Sequence, residues 1–387
     1  MDTNYQKIES LLLSGDKLNI ELGFQLAVSQ SIDLSLLLED MALMVNFLIV
    51  ECGEHLAYNQ LEELPWLLAN IVEIQVDYSR LSGVKSMQLP DKFQYLPNLE
   101  QIELIAVGLQ SLPASIGTCR RLKKLFVADN QLTELPATFE GLPLTILNMS
   151  KNPLSEIPSV VYSLENLQDL IVKNCKISRI SDRVGALGNL LNLDLSNNLL
   201  TKLSSNIGRL RKLEALALEK NQIQVLPEQM GTLENLRTLI LLGNPIQKIP
   251  DSFKLLTKLD FISIDNIPEG LFNLRSISYL YINLYKAFDA SLIEKIGQLK
   301  WLEKLEIRNF YKENEPIPFP ITFTKLQEFR LIFIQGVPFN AFPDEMKNLT
   351  NLKRLTIYAA KLPDLFYWRK YMKTLLPTCT TINIANV

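Results

Sequence analysis

The stretch Leu122-x-x-Leu125-x-Val127-x-x-Asn130-x-Leu132-x-x-Leu135-Pro136-x-x-Phe139-x-x-Leu142 decides how this chain folds. In Leu125-Phe126-Val127 the apolar period is two, so Leu125 and Val127 point one way while Lys124, Phe126 and Ala128 point the other. That is a short strand with one buried face. Asn130 stands where the strand ends, and its two donors and one acceptor suit it to bond main-chain groups of its own coil and of the next one. Leu132, Leu135, Phe139 and Leu142 bring apolar groups back to the same interior. Pro136 stiffens that return segment, where no ladder donor is needed.

The template restarts at Leu144, Leu167, Leu190, Leu213 and Leu236, and Asn130, Asn152, Asn198, Asn221 and Asn244 recur at spacings of 22, 46, 23 and 23. A coil of this kind buries its apolar edge only against its neighbours, so the array is stable as a stack. Extending the frame both ways gives further starts at Ile71, Leu99, Leu259, Ile277, Leu302, Leu326 and Leu352. The first coil carries a loop-like insertion with Ser82, Gly83 and Ser86, and the coil at Leu259 is cut short because Ile264 runs almost directly into Ile267-Pro268. The asparagine position is taken by Cys175, whose thiol is a weak donor, and by Val107, which cannot bond and predicts a relaxed coil. From Ile277 onward it falls on Tyr285, Phe310, Ile334 and Ala360, so the asparagine ladder is expected to stop there.

On these residues the chain resembles the leucine-rich repeat family, in its class of about 23 residues per repeat with a Leu-Pro step, and is similar to bacterial leucine-rich repeat proteins. The resemblance covers Ile71 to Val387. It implies an α/β solenoid, a right-handed leucine-rich-repeat horseshoe with a parallel concave β-sheet. Residues 1–70 do not fit the repeat and read as a helical N-terminal cap, with helices over Tyr5 to Leu13, Leu18 to Val28, Ile32 to Val50 and Leu61 to Ala69. Residues 71–363 form the solenoid and residues 364–387 a C-terminal cap, with a helix over Asp364 to Leu375 and a last strand at Thr381-Ile382-Asn383-Ile384. A solenoid end exposes its core, so caps are physically expected.

A net charge of −3 provides no basic face for nucleic acid, and the clusters Arg120-Arg121-x-Lys123-Lys124 and Arg209-x-Arg211-Lys212 read as solvated turns. The apolar run Met41 to Val50 is too short to span a bilayer. The N-terminus lacks the basic-then-apolar order of a secretory signal. Cys52, Cys119, Cys175 and Cys379 are scattered singly rather than paired into caps, which favours a reducing, cytoplasmic location; removal of a signal segment would leave the secreted alternative.

Chemistry is sparse. The lone histidine, His55, has no Gly-x-Ser-x-Gly partner, and no Cys-x-x-Cys, His-Glu-x-x-His or calcium loop occurs, so neither an enzyme nor a metal or cofactor is expected. Ser14-Gly15-Asp16-Lys17 reads as a turn between helices, not a phosphate loop. Asn148-Met149-Ser150 and Asn348-Leu349-Thr350 match the short glycosylation pattern. Some bacterial effectors join such an array to a ubiquitin ligase with a Cys-x-Asp nucleophile, and no cysteine here has Asp two positions later.

Binding is expected on the strand residues that alternate with the buried leucines. Two apolar groups emerge among them: Phe126, Ile146 and Ile171, and a larger strip of Ile240, Leu242, Phe261, Tyr279 and Tyr281 flanked by Arg308 and Arg330. Aromatic and arginine side chains on one surface have the composition of an interface core. The expected activity is a non-enzymatic protein-protein interaction scaffold with a protein partner, oligomeric state open. The alternative is a secreted or surface-exposed adhesin or effector contacting host protein or glycan.

Overall fold

The computed structural model describes residues 3–54, 56, 60–77, 79, 86–286, 290–311, 315–358 and 364–385. His55, the insertion residues Ser82 and Gly83, and Ala360 lie outside the described residues. The chain forms two compact units, Met1–Asn192 and Leu193–Val387.

The first unit opens with helices α1 (Thr3–Leu12), α2 (Lys17–Ser29), α3 (Ser35–Glu51) and α4 (Leu64–Ala69). The turn at Ser14-Gly15-Asp16 ends one helix and starts the next: Asp16 Oδ1 accepts the Asn19 N–H at 3.0 Å, an N-cap that satisfies one orphan donor. Helix α3 buries Leu37, Leu38, Met41, Met44, Val45 and Leu48, a spacing of three and four that puts them on one face. Lys92 and Tyr95 both reach Asp40 of that helix, at 2.6 and 3.2 Å, and the Asn98 amide donates to Ala69 O at 2.8 Å. These contacts seat the helices on the first coils.

Strands β1 (Glu73–Asp77), β2 (Gln101–Ile105), β3 (Lys124–Phe126), β4 (Ile146–Asn148) and β5 (Asp169–Ile171) follow, each parallel to the next. Strand β6 (Asn192–Asp194) falls at the boundary between the units. The second unit continues with β7 (Ala215–Ala217), β8 (Thr238–Ile240), β9 (Phe261–Asp265), β10 (Tyr279–Leu284) and β11 (Lys304–Asn309). A short helix, α5 (Ala290–Lys295), precedes β11. Next come β12 (Ile317–Pro318), β13 (Leu331–Gln335), β14 (Phe339–Ala341), β15 (Arg354–Tyr358), α6 (Leu365–Leu375) and β16 (Thr381–Ala385). Within this unit the order is β7-β8-β9-β10-β11-β13-β15-β16, all parallel, with β12 and β14 forming a separate two-stranded ribbon. Asp364 caps α6 by accepting the Tyr367 N–H at 2.9 Å.

The repeat leucines form the core: Leu122, Leu125, Val127, Leu213, Leu216 and Leu218 are all fully buried. After each Leu-Pro step the chain makes one 3-10 turn, as at Ala137–Phe139 and Glu228–Thr232, before handing over to the next coil.

The ladder side chains bond backward rather than forward. Asn221 Nδ2 donates to Leu218 O of its own coil (2.9 Å) and to Leu195 O of the preceding coil (3.0 Å), while its Oδ1 accepts the N–H of Leu200 in that preceding coil (3.0 Å). Asn152 and Asn244 repeat this set, and Asn198 donates to Leu195 O at 3.0 Å. Cys175 donates weakly, to Met149 O and Lys173 O at 3.6 Å. Val107 supplies no side-chain bond; Asn130 Nδ2 donates to Leu104 O of that coil at 2.7 Å, and its Oδ1 accepts the Val107 and Leu109 N–H groups at 3.2 and 3.0 Å.

A left-handed residue turns each ladder side chain inward: Ala106, Asp129, Lys151, Asn174, Asn197, Lys220 and Gly243 all have positive φ and precede the slot. Gly336 does the same before Val337, which corrects the frame of one coil. Ile332 pairs with Leu305 and Ile334 with Ile307, so that coil starts at Phe329, three residues after Leu326, and its slot is Val337 instead of Ile334. In the coils of Tyr285 and Phe310 the strands run one residue further, to Leu284 and Asn309, and no left-handed step occurs. Both rings therefore stay outside, 51% and 54% exposed and stacked on each other at 5.0 Å. Asparagines one position earlier take over part of the bonding: Asn266 Oδ1 accepts the Tyr285 N–H at 3.0 Å, and Asn309 Nδ2 donates to Gly336 O at 2.8 Å.

Candidate functional site

Parallel pairing in register places the outward residues of the second unit in three rows. The first row reads Thr238, Phe261, Tyr279, Lys304, Leu331 and Arg354; the second Ile240, Ser263, Tyr281, Glu306, Phe333 and Thr356; the third Asp265, Asn283, Arg308, Gln335 and Tyr358. Leu242 follows strand β8 and is half-buried. Neighbouring strands lie about 4.8 Å apart, so adjacent members of a row touch.

These rows carry a connected set of rings. Phe261 and Tyr279 lie with centroids 4.6 Å apart, and Tyr279 Oη donates to Glu306 Oε1 at 2.5 Å. Burial, reinforced by that carboxylate, pushes the Tyr279 hydroxyl well above its ordinary range. The Arg308 guanidinium lies over two rings, 5.6 Å from the Tyr281 centroid and 5.7 Å from that of Phe333, and Phe333 meets Tyr358 edge-on at 5.9 Å. A cation held between two aromatic faces is worth roughly 0.5 to 2 kcal/mol per ring, according to its desolvation.

Several sequence expectations are revised here. Phe333 was hidden by the three-residue frame error, which assigned Ile332 to the outer face; Ile332 is fully buried, and Leu331, Phe333 and Gln335 face out. The same shift moves Arg330 to the position before the strand, where it pairs with Glu303 at 3.4 Å instead of flanking the strip. Ser150, Ser196, Ser263, Asp265 and Thr356, expected on the exposed face, are covered by their neighbours. In the first unit, Phe126, Asn148 and Ile171 share one row while Ile146 lies in the other, so a polar residue interrupts that apolar group.

Beneath Tyr281 lies a polar feature that the sequence reading passed over. Asp265 is 8% exposed and accepts the Gly243 N–H through Oδ2 at 2.7 Å, while its Oδ1 has no partner. Ser263 Oγ and Asn283 Oδ1 are likewise buried and unpartnered. Burial raises the Asp265 pKa, opposed by the Gly243 N–H and the nearby Asn283 amide and aided by Glu219.

Among the described residues no cluster of three or more His, Cys, Asp or Glu side chains could hold a metal ion, and no helix is long and apolar enough to cross a membrane.

Residues 191–315 match the family model described as a leucine-rich repeat region. Among curated proteins, the chain is similar to leucine-rich repeat and calponin homology domain-containing protein 1 of Mus musculus, 29% identical over 126 residues that make up 31% of this chain and 17% of that protein. It is also similar to the volume-regulated anion channel subunit LRRC8A of Homo sapiens, 31% identical over 126 residues, 32% of this chain and 15% of that protein. The chain thus matches less than a fifth of each relative's length. Among solved structures, a leucine-rich repeat protein of Leptospira interrogans superposes with TM-score 0.60 at 26% identity, covering 76% of this chain and 81% of that one. An internalin of Listeria monocytogenes gives 0.59 at 18% identity, covering 90% and 89%, and shares the fold.

Proposed function

We propose that this leucine-rich repeat protein is a non-enzymatic scaffold that grips a protein partner on the free face of the sheet in its second unit. The observation that carries the reading is the connected surface of Ile240, Leu242, Phe261, Tyr279, Tyr281, Arg308, Phe333 and Tyr358, spread over neighbouring strands in register. Rigid rings lose little conformational freedom on binding, and aromatic and arginine side chains are the usual anchors of an interface. Leucine-rich repeat arrays are generally protein-binding and typically non-enzymatic, which supports the same reading. The row of Phe126, Asn148 and Ile171 in the first unit is a smaller secondary surface. Four free thiols favour a reducing, cytoplasmic setting. The likeness to the Leptospira protein supports a bacterial origin; a secreted or surface-exposed adhesin or effector is the second reading.

The test is affinity capture from native lysate, with the wild-type chain compared with Tyr279→Ala/Tyr281→Ala and captured proteins quantified by mass spectrometry. The double variant is expected to lose specifically enriched partners about tenfold or more, as hot-spot truncation does, while its melting temperature stays close to wild type. Undiminished capture by the variant would reduce the strip to ordinary sheet surface.

A further inference from the structure

Resting on that reading of the face, we propose that Ser263, Asp265 and Asn283 form a receptor for a primary ammonium group, the side chain of a lysine presented by the bound protein. Three buried oxygens on two paired strands have no hydrogen-bond partner: Ser263 Oγ, Asp265 Oδ1 and Asn283 Oδ1. Asp265 and Asn283 are opposite each other in register, about 4.8 Å apart across the sheet, and Ser263 is two residues from Asp265 on the same face, about 7 Å along the strand. Leaving such groups unpaired costs stability, so the free protein stores a demand for donors.

The chemistry of the missing donor follows from the set. Two of the three atoms are acceptors only, the third is a hydroxyl, and a lysine ammonium supplies three N–H donors from one centre. A planar guanidinium spreads its donors in a fork that suits two oxygens of one carboxylate, and here Asp265 Oδ2 is already taken by the Gly243 N–H.

Charge points the same way. Among the described residues no cation pairs with Asp265; the charge acting on it is that of Glu219, which is negative. Arg308, the register neighbour of Asn283, leans over Tyr281 and Phe333 and so is committed elsewhere. The oxygens are shielded from solvent in the free protein, so the ammonium enters as the Asn283 amide and the Tyr281 ring turn aside.

The experiment titrates the whole chain with Nα-acetyl-lysine N-methylamide and, separately, with methylammonium, following the Asn283 side-chain amide by NMR. Nα-acetyl-arginine N-methylamide and sodium chloride at matched ionic strength are parallel arms. A saturable shift with both ammonium probes is expected, with the arginine probe weaker by about tenfold or more and no specific response to sodium. Asp265→Asn should weaken the lysine probe by about tenfold or more, and Ser263→Ala by a smaller factor, with the rest of the spectrum unchanged. No saturable shift, equal binding by Asp265→Asn, or an equal response to sodium overturns the proposal. If the probes fail while Tyr279→Ala/Tyr281→Ala still abolishes capture, the ammonium receptor alone is refuted. If capture also persists, the reading of the face is refuted too.

Discussion

Replacing Asn221 with alanine removes one rung of the ladder and tests how the coils hold together. The variant loses the acceptor for the Leu200 N–H at 3.0 Å and the donors to Leu195 O at 3.0 Å and Leu218 O at 2.9 Å, all in the buried interior. One orphaned buried group costs roughly 1 to 3 kcal/mol; two neighbouring coils are affected, and partial relaxation recovers some of the loss, so about 3 kcal/mol is expected. The loss is local, because a repeat array divides its stability among coils and their interfaces. The assay is therefore native-state hydrogen exchange read residue by residue. The Leu200 amide should exchange about a hundredfold faster, since 1.4 kcal/mol corresponds to a factor of ten, and a urea transition should broaden as coupling between coils weakens. Asn235→Ala is the control: its amide also donates across coils, to Arg211 O at 2.7 Å, but at an exposed site where substitution stays within about 0.5 kcal/mol. Equal effects from the two variants, or unchanged exchange at Leu200, would refute the claim that buried backbone satisfaction holds the coils together.

Two further outcomes follow from the packing and from the buried titratable groups. Gly208→Ala places a Cβ 2.2 Å from Gln229 O of the next coil, so it should cost about 1 to 3 kcal/mol by overpacking, while Gly188→Ala, with no atom within 4 Å, should be neutral or slightly stabilising; chemical denaturation compares them. Burial raises the Cys119 thiol from 9.0 to about 12, and burial raises Tyr95 and Tyr162 from 10.0 to about 12. Above pH 9 the unfolded chain releases protons that the native state still holds, so stability present below pH 9 is lost between pH 9 and 12. The melting temperature should fall across that range, with Cys119→Ala removing part of the earliest decline, which the Cys52 thiol, also raised by burial from 9.0 to about 12, shares; a flat profile to pH 11 would contradict it.

The helices before the repeats were legible because Leu37, Met41, Met44, Val45 and Leu48 recur at helical spacing and Asp16 is a recognisable cap. The frame slip at Leu326 has a physical cause. Leu326 and Phe329 are both buried and three residues apart, so either could start the template, and only pairing of Ile332 with Leu305 separates them. That slip concealed Phe333 and misplaced Arg330. The bonding of Asn266 and Asn309 was missed because it depends on where the backbone turns left-handed: Asn266 makes that turn itself, whereas Asn309 continues its strand.

The residues alone therefore determined the repeat, its buried leucines and the choice of asparagine at the strand ends, because each is dictated by a period and by local donors and acceptors within one coil. Register between strands decided the rest. Which ring lies against which cation, and which carboxylate is left without one, depends on side chains about 20 residues apart becoming neighbours at about 4.8 Å across the sheet, and no property of a single coil encodes that distance.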